Sequence, residues 1–292
     1  IEGGWPGSNP KDVEFFSKAG TTVFSHSELV AFGSTRRPKI KAEDDANLQA
    51  LADAGVKVVT IVGKNSELQV TKVLETTLEE NLDMIADSIK YLRAKGLTVF
   101  FDAEHFFDGF SANPDYSLRC LRVAAEAGAS CLILCDTNGG ALPDEVTTAV
   151  KASGKVTDVS LGIHAHNDSG LATANTLAAI NAGATQVQGT INGYGERCGN
   201  ANLCTIIPDL KLKMGIDCIT NEQLAKLTEV SRSVSEAANL IPDISSPYVG
   251  SSAFAHKAGL HVYALTKWMG SYQNIDPALV GNHPRTLVSE LS

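Results

Sequence analysis

Short apolar runs rich in β-branched residues alternate along the chain with amphipathic stretches of helical spacing. The amphipathic stretches predict helices, such as one running from Thr77 to Lys95 and closed by Gly96. A strand that is followed each time by a helix requires a parallel sheet with helical crossovers. The apolar runs predict strands at residues 1–4, 28–34, 56–63, 97–103, 131–136, 159–166 and 185–191.

The spacing of these units favours a closed barrel over an open, doubly wound sheet. One strand and helix recur every ~30 residues, and polar residues gather at the carboxyl ends of the strands, where barrel enzymes build their sites. The predicted fold class is therefore α/β, a TIM (β/α)8 barrel. Seven strands are visible where a barrel has about eight, so we expect the barrel to lack its first strand, which would precede Ile1.

The pattern changes after residue 216. A long polar helix is predicted from Glu222 to Asn239, a connector containing proline and serine covers 241–247, and an apolar segment with two histidines follows. We predict a catalytic barrel at 1–216, and at 217–292 the last barrel helix, a linker and a short helical C-terminal appendage.

Composition narrows the classes of partner. The 292 residues are 43% hydrophobic, enough for one large core, and the net charge of −9 argues against a nucleic-acid partner. The most basic local cluster, 34–39, is short, although an anionic substrate can meet it locally. No apolar run has the length of a membrane helix and the sequence shows no basic-then-apolar leader, so a cytoplasmic protein is expected. Six cysteines without a CxxC pair indicate buried thiols in a reducing compartment.

The clearest chemical signal is the pair His164 and His166 at the end of a predicted strand. Residues two apart on a strand face the same side, so both imidazoles project toward the barrel mouth. Two imidazoles on one face can chelate a divalent metal. The alternative is a pair of hydrogen-bonded histidines in a polar rim.

A glycine-rich loop, 193–200, follows the next predicted strand. Gly195 and Gly199 let the backbone approach a ligand closely, while Glu196, Arg197 and Asn200 supply polar groups. A structural tight turn with an internal Glu–Arg pair is the alternative.

Other candidate residues stand at strand ends and near the C-terminus. Glu104 can act as an acid or base, and Thr137 can bind a carboxylate through its hydroxyl. Asp136 is as suited to holding loops as to chemistry. His261, followed by Tyr272, lies outside the barrel repeats, where a histidine is more often structural.

Three segments taken together resemble a family of metal-dependent barrels that comprises citramalate, 2-isopropylmalate and homocitrate synthases and hydroxymethylglutaryl-CoA lyase. They are the HxH motif, the Gly195–Asn200 loop and the stretch from Ser252 to His261. The first ten residues and the stretches 32–37 and 102–109 are most similar to the bacterial (R)-citramalate synthases. That branch condenses pyruvate with acetyl-CoA on the route to isoleucine.

The resemblance implies a site for Mn²⁺, Mg²⁺ or Zn²⁺ held by His164, His166 and Asn200. The family's fourth ligand is an Asp in an Arg-Asp-Gly segment, which this sequence does not contain and which is expected before Ile1. The metal would bind the 2-oxo acid, and Thr137 would hold the substrate carboxylate.

For catalysis, the resemblance implies that His261 acts with Tyr272 as its hydrogen-bonded partner and with Glu104 as the barrel carboxylate. In dimers of this family the histidine tends to reach the neighbouring subunit, so a homodimer is expected. From the charge and the apolar runs described above, no nucleic-acid or membrane partner is expected.

Three alternatives stay open. The acceptor can be that of a 2-isopropylmalate or homocitrate synthase. A lyase of the same superfamily is disfavoured, because the loop Pro247–Ser252 lacks the cysteine such lyases carry there. In a different class, the 292-residue chain by itself can be a binding fragment without activity.

Overall fold

Parallel strands alternate with helices in the computed structural model, which describes residues 1–20, 22 and 24–286. Among these residues six strands form one parallel sheet in the order β1-β2-β3-β4-β5-β6. Residues 1–4 extend it beyond β1, since Glu2 pairs with Val30 and the Gly3 amide donates to the Val30 carbonyl at 3.0 Å. The α/β prediction is confirmed. The strands are β1 Val30–Ser34, β2 Val58–Lys64, β3 Thr98–Glu104, β4 Cys131–Asp136, β5 Ser160–Ala165 and β6 Gln186–Gln188.

The helices between these strands begin and end where the sequence has capping residues. α3 begins after Thr77, whose hydroxyl accepts from the Glu80 amide at 3.1 Å, and Gly96 beyond its end has a φ of +84°. The helices are α1 Pro10–Ala19, α2 Ala46–Ala52, α3 Leu78–Ala94, α4 Phe106–Ala112, α5 Pro114–Glu126, α6 Pro143–Ser153 and α7 Ala172–Asn181. Short 3₁₀ and π turns lie at Ala42–Asp44 and Gln69–Val73.

The sheet has two differently used faces. The outward positions of its strands, such as Val99 and Phe101, are completely buried, and so are Ile85 and Ile89 of α3, the helix that packs on β3. The inward positions carry polar groups toward the carboxyl ends, among them Asp102 and Glu104. Helix packing on one face therefore supplies the core and leaves the other face for chemistry.

A hydrogen bond between the opposite edges of this sheet shows that the sheet curls. Glu2 lies at the edge beyond β1 and Gln188 ends β6 at the other edge, yet the Gln188 Nε2 donates to Glu2 Oε1 at 3.3 Å. An open, flat sheet would hold these residues many strand spacings apart. The curvature is that of a barrel, as the sequence predicts.

Strand β6 is shorter than predicted, ending at Gln188 rather than near residue 191. Beyond it, Thr190 exchanges hydrogen bonds with a later segment, accepting from Leu203 and donating to the Ala201 carbonyl. A Cβ on Gly189 would lie 2.6 Å from that same carbonyl oxygen. The close approach of two backbones needs glycine and ends the strand.

The chain divides into two compact units, Ile1–Gln188 and Gly189–Ser292. The second unit buries an apolar cluster that includes Leu227, Phe254 and Val280. Its elements are helices α8 Leu203–Pro208, α9 Asn221–Leu224, α10 Leu227–Ala237 and α11 Gly259–Lys267, short turns at Ile191–Gly193, Asp209–Lys213, Met269–Ser271 and Pro277–Val280, and the parallel pair β7 Ala255–His256 and β8 Arg285–Thr286. The domain boundary predicted at residue 216 stays a prediction. The last residues of the predicted C-terminal segment, 287–292, lie outside the described residues.

The single helix predicted from Glu222 to Asn239 is two helices, and this prediction was wrong. α9 and α10 are separated at Ala225 and Lys226. The backbone of Gly281 approaches the Ala225 carbonyl so closely that a Cβ on Gly281 would overlap it. A neighbouring turn thus packs against the break between the two helices, a contact that local propensity does not encode.

No helix among the described residues is long and apolar enough to cross a membrane. All six cysteines are free thiols, four of them buried as predicted, whereas Cys198 and Cys218 are exposed.

Arg36, in the basic cluster noted above, is engaged by α3 rather than exposed to a ligand. Its guanidinium donates to Asp87 Oδ2 at 2.9 Å and to Glu80 Oε1 at 2.8 Å. Its amide donates to the Ser88 hydroxyl at 2.8 Å, and the residue is 5% exposed. The contacts fix the end of β1 against α3.

Replacing Arg36 with methionine leaves two carboxylates without their shared cation. Because the Glu80 and Asp87 side chains are 24% and 49% exposed, we expect the free energy of unfolding to fall by roughly 2 to 4 kcal/mol, less than for a fully buried pair. The measurement is urea unfolding at neutral pH. The matched control is Arg119→Met, which removes a similar double contact with Glu79 at the exposed surface and should change stability much less. Equal losses for the two variants would contradict a stabilising role for the buried contact.

Candidate metal centre and active site

His164 and His166 converge at the carboxyl end of β5. His164 is on the strand, and His166 continues the same line because its amide donates to the Asp136 carbonyl of β4 at 3.1 Å. Both side chains face the inside of the sheet, and their Nε2 atoms lie 3.3 Å apart. The predicted common face of the two imidazoles is present.

The separation of these nitrogens fits two ligands of one cation. Nitrogens bound at about 2.1 Å to one ion lie roughly 3.0 to 3.4 Å apart in octahedral or tetrahedral geometry. Within the described ranges no group of three or more His, Cys, Asp or Glu side chains could hold a metal. A centre built on this pair therefore needs ligands of another kind, such as an amide, a substrate oxygen or water.

Gln188 is a neighbour of the site that the sequence prediction missed. It pairs in register with His164, and its Oε1 lies 2.7 Å from His164 Nδ1. Its Nε2 donates to Glu2 and, at 3.2 Å, to Asp102 Oδ1. The available signal was the alternation of Gln186 and Gln188 on a strand, which puts both amides on the inner face.

Asp102 is a buried acid on the inner face of β3, at 5% exposure. Burial raises the pKa of its carboxyl well above the usual range, and the nearby carboxylates of Glu2 and Glu104 raise it further, whereas the hydrogen bond from Gln188 acts in the opposite direction. Asp102 is therefore held as a neutral acid well above the pH at which an exposed Asp ionises.

Glu104 and Thr137 occupy neighbouring strand ends. Glu104 ends β3 and forms an ion pair with Lys64, its register partner at the end of β2. The Thr137 hydroxyl follows β4 and accepts from the amide of His105 at 2.8 Å, where the backbone turns through a φ of +57°. The predicted acid and the predicted carboxylate-binding hydroxyl thus both belong to the carboxyl-end rim of the sheet.

Asp136 holds a loop. Its carboxylate accepts from the amides of Gly140 and Ala141, at 3.2 to 3.4 Å, and lies 3.5 Å from the amide nitrogen of Asn175. Of the two roles open for it, these contacts favour the structural one.

The glycine-rich loop positions Asn200 in the second unit. Asn200 donates to the Tyr194 carbonyl at 3.3 Å, and its Oδ1 is buried without a hydrogen-bond partner among the described residues. A Cβ on Gly195 would overlap the Asn200 amide, and one on Gly199, which has a φ of +86°, would overlap the Gly193 carbonyl. The loop therefore requires its glycines and presents an acceptor oxygen, as a metal ligand would.

Glu196 and Arg197 lie on the outside of this loop. Their charged groups are 3.9 Å apart, and the Glu196 side chain is 86% exposed. The internal Glu–Arg pair expected for the tight-turn alternative is present at this distance, and the roles of both side chains stay a prediction.

His261 stacks on Tyr272 in the second unit. Their ring centroids are 4.0 Å apart with an angle of 24° between the planes. The hydrogen bond predicted between them is not formed in the described part of the chain, because stacked rings direct their polar atoms sideways rather than at each other. His256 lies 6.4 Å from His261, centroid to centroid.

The predicted residues thus fall into two groups. His164, His166, Glu104 and Thr137 share the carboxyl-end rim of the parallel sheet in the first unit. The second unit holds Asn200 with its glycine-rich loop and, separately, the His261–Tyr272 stack.

Comparison with known proteins identifies the families and the relatives that this chain resembles. The HMGL-like family matches residues 1–234, and the family described as homocitrate synthase post-HMGL domain-like matches residues 248–291. The chain is 56% identical over 99% of its length to (R)-citramalate synthase from Synechocystis sp. and 53% identical over its whole length to (R)-citramalate synthase from Geobacter sulfurreducens. It spans about half of these relatives, 54% and 55% of their lengths.

Among solved structures, the HMG-CoA lyase of Bacillus subtilis superposes with a TM-score of 0.64 at 20% identity, over 81% of each chain. At this identity the similarity concerns the fold, and it agrees with the barrel prediction.

Asp102, the buried acid of β3, should make the free energy of unfolding depend on pH in a way that can be measured. Because folding raises the pKa of Asp102, the folded protein binds a proton that the unfolded chain releases above about pH 4. The free energy of unfolding should therefore fall as pH rises toward the raised pKa, by at most about 1.4 kcal/mol per pH unit from this group. Asp102→Asn should remove this loss. In urea unfolding, the free energy of unfolding of the variant relative to that of the parent should therefore rise with pH. Asp83→Asn, on the exposed side of α3, is the control, and parallel stability curves for Asp102→Asn and the parent would contradict the prediction.

Proposed function

The chain belongs to the HMGL-like family, and from that premise we propose that its protein condenses acetyl-CoA with a 2-oxo acid, with pyruvate as acceptor and citramalate as product. The observation that supports this best is the convergence of His164 and His166, with Nε2 atoms 3.3 Å apart, at the rim that also carries Thr137 and Glu104. The names of two relatives above 50% identity, both (R)-citramalate synthases, support the choice of acceptor.

A divalent cation, Mn²⁺, Mg²⁺ or Zn²⁺, would be held by His164 and His166, and the buried Oδ1 of Asn200 fits a further ligand. Bound there, the cation would supply Lewis acidity toward the carbonyl of the 2-oxo acid.

The protein's own groups would then bind the substrate and move protons. The hydroxyl of Thr137 holds the acceptor's carboxylate, and its position is fixed by the hydrogen bond from the His105 amide. Glu104, kept in place by Lys64, is the carboxylate at the rim. His261, oriented by its stack on Tyr272, is the base that takes a methyl proton from acetyl-CoA. The resulting enolate carbon would bond to the ketone carbon, whose oxygen takes up a proton as the carbonyl π bond breaks. Water would then cleave the thioester and release the thiol of coenzyme A, which makes the condensation irreversible.

We further infer a homodimer located in the cytoplasm. Large apolar side chains are exposed on α11 and just beyond it, with Leu260 at 72%, Tyr263 at 63% and Trp268 at 69%. Burial of such a surface against a second subunit would bring further stabilisation.

The acceptor is tested by acetyl-CoA-dependent thiol release from the full-length protein with pyruvate, 2-oxoisovalerate or 2-oxoglutarate. We expect pyruvate to give the highest kcat/KM. A preference for 2-oxoisovalerate would indicate a 2-isopropylmalate synthase, and a preference for 2-oxoglutarate a homocitrate synthase. Absence of thiol release with all three would refute a condensing enzyme.

The roles of the histidines are tested by replacing each with alanine in the full-length protein. His164→Ala and His166→Ala should lose bound metal and activity together, since each removes a ligand. His261→Ala should keep its metal and lose turnover on the order of 10²-fold or more, the usual contribution of a general base. Metal content is measured by elemental analysis beside the thiol-release rate. Loss of metal from His261→Ala would contradict this division of roles.

A further inference from the structure

The amide of Gln188 lies at a branch point between one histidine of the site and two acids. Its Oε1 is 2.7 Å from His164 Nδ1, while its Nε2 is 3.2 Å from Asp102 Oδ1 and 3.3 Å from Glu2 Oε1. The contacts come from residues far apart in sequence, which the curled sheet brings together at the end of β6.

The two acids determine which way the amide points. An ionised carboxylate oxygen only accepts hydrogen bonds, so Glu2 needs the NH₂ group of Gln188, and the same group lies within donating distance of Asp102 Oδ1. The reverse orientation would set the amide oxygen against two carboxyl groups. Asp102, held neutral by burial, could supply a proton to relieve one of these contacts, but the contact with Glu2 would still be two acceptors facing each other. The amide oxygen therefore faces His164.

The amide orientation in turn determines the tautomer of His164. An amide oxygen can only accept, so His164 Nδ1 must carry the hydrogen that joins the two atoms at 2.7 Å. In a neutral imidazole the proton on Nδ1 leaves a lone pair on Nε2. That is the nitrogen directed at His166.

The other tautomer would change the chemistry of the pair. With the proton on Nε2, His164 would point a hydrogen at His166 Nε2, 3.3 Å away, and the two rings could hydrogen-bond to each other. A cation would then have to displace that proton before it could bind both nitrogens. Metal-binding histidines commonly donate their second N–H to an oxygen, which fixes the tautomer and raises the basicity of the ligating nitrogen.

We propose that Gln188 is a positioning residue that holds His164 in the Nδ1-protonated tautomer and so prepares the histidine pair to bind a divalent cation. The proposal rests on the metal site proposed above. It concerns the ring tautomer in the metal-free protein as well as the affinity for metal, so the two proposals can fail independently.

The test compares Gln188→Met with Gln186→Met in the full-length protein. Methionine preserves length and removes the amide. Gln186 is the matched control, because it lies two residues earlier on the same face of β6 and accepts from the Cys131 thiol at 2.9 Å rather than contacting His164. Equal thermal unfolding of the metal-free variants checks that both fold.

The first readout is the ¹⁵N NMR signal of the His164 ring, assigned with a His164 variant, in metal-free protein. We expect a protonated Nδ1 and a bare Nε2 in the parent and in Gln186→Met, and loss of this preference in Gln188→Met. The second is calorimetric titration with Mn²⁺, where Gln188→Met should weaken binding about 10- to 100-fold and Gln186→Met should leave it unchanged.

A parent protein with its proton on Nε2 would overturn the proposal, as would a Gln188→Met variant that keeps both the tautomer and the Mn²⁺ affinity of the parent. If the parent binds no Mn²⁺, the metal site fails, and the tautomer measurement alone decides whether Gln188 sets the state of His164.

Discussion

The parallel register of the sheet is the constraint on which the candidate site depends. Register partners face the same side of a sheet, so Lys64 meets Glu104 across β2 and β3, and His164 meets Gln188 across β5 and β6. A slip of one residue in any strand would turn its inner side chains toward the helices. The fully buried outer positions, such as Val59, Phe101 and Leu132, oppose that slip, because polar groups would then enter the core. Apolar packing on the outer face of the sheet thus determines which polar side chains lie on its inner face.

Much of this arrangement is predictable from the sequence, because it depends on local period. Alternation of apolar runs and helices predicts the strands to within a few residues, and the spacing of two places His164 and His166 on one face. Thr137 and Glu104 are identifiable as strand-end residues for the same reason. Glycine in the 193–200 loop likewise indicates close backbone contact, which Gly195 and Gly199 make around Asn200.

The remaining features depend on contacts between residues distant in sequence. Gln188 meets Glu2, 186 residues away, only because the sheet curls. Gly281 packs against the Ala225 carbonyl at the break between α9 and α10, and the ion pairs of Arg36 come from α3. The Tyr272 ring stacks on His261 where the family resemblance of the sequence implies a hydrogen bond, since the sequence indicates proximity but not ring geometry. In each case local propensity is satisfied by more than one arrangement, and tertiary packing selects among them.

Asp102 is a local conflict between sequence and fold. A strand selected for stability alone would carry an apolar residue at this inner position, where the carboxyl has two other acids nearby and, among the described residues, no cation that offsets them. Natural sequences are consistent at most positions, and the exceptions concentrate where function demands a residue that folding disfavours. The acid and the amide it contacts are best understood as one frustrated cluster. Random substitutions that restore stability should accumulate there first, and they should do so at the expense of the histidine pair.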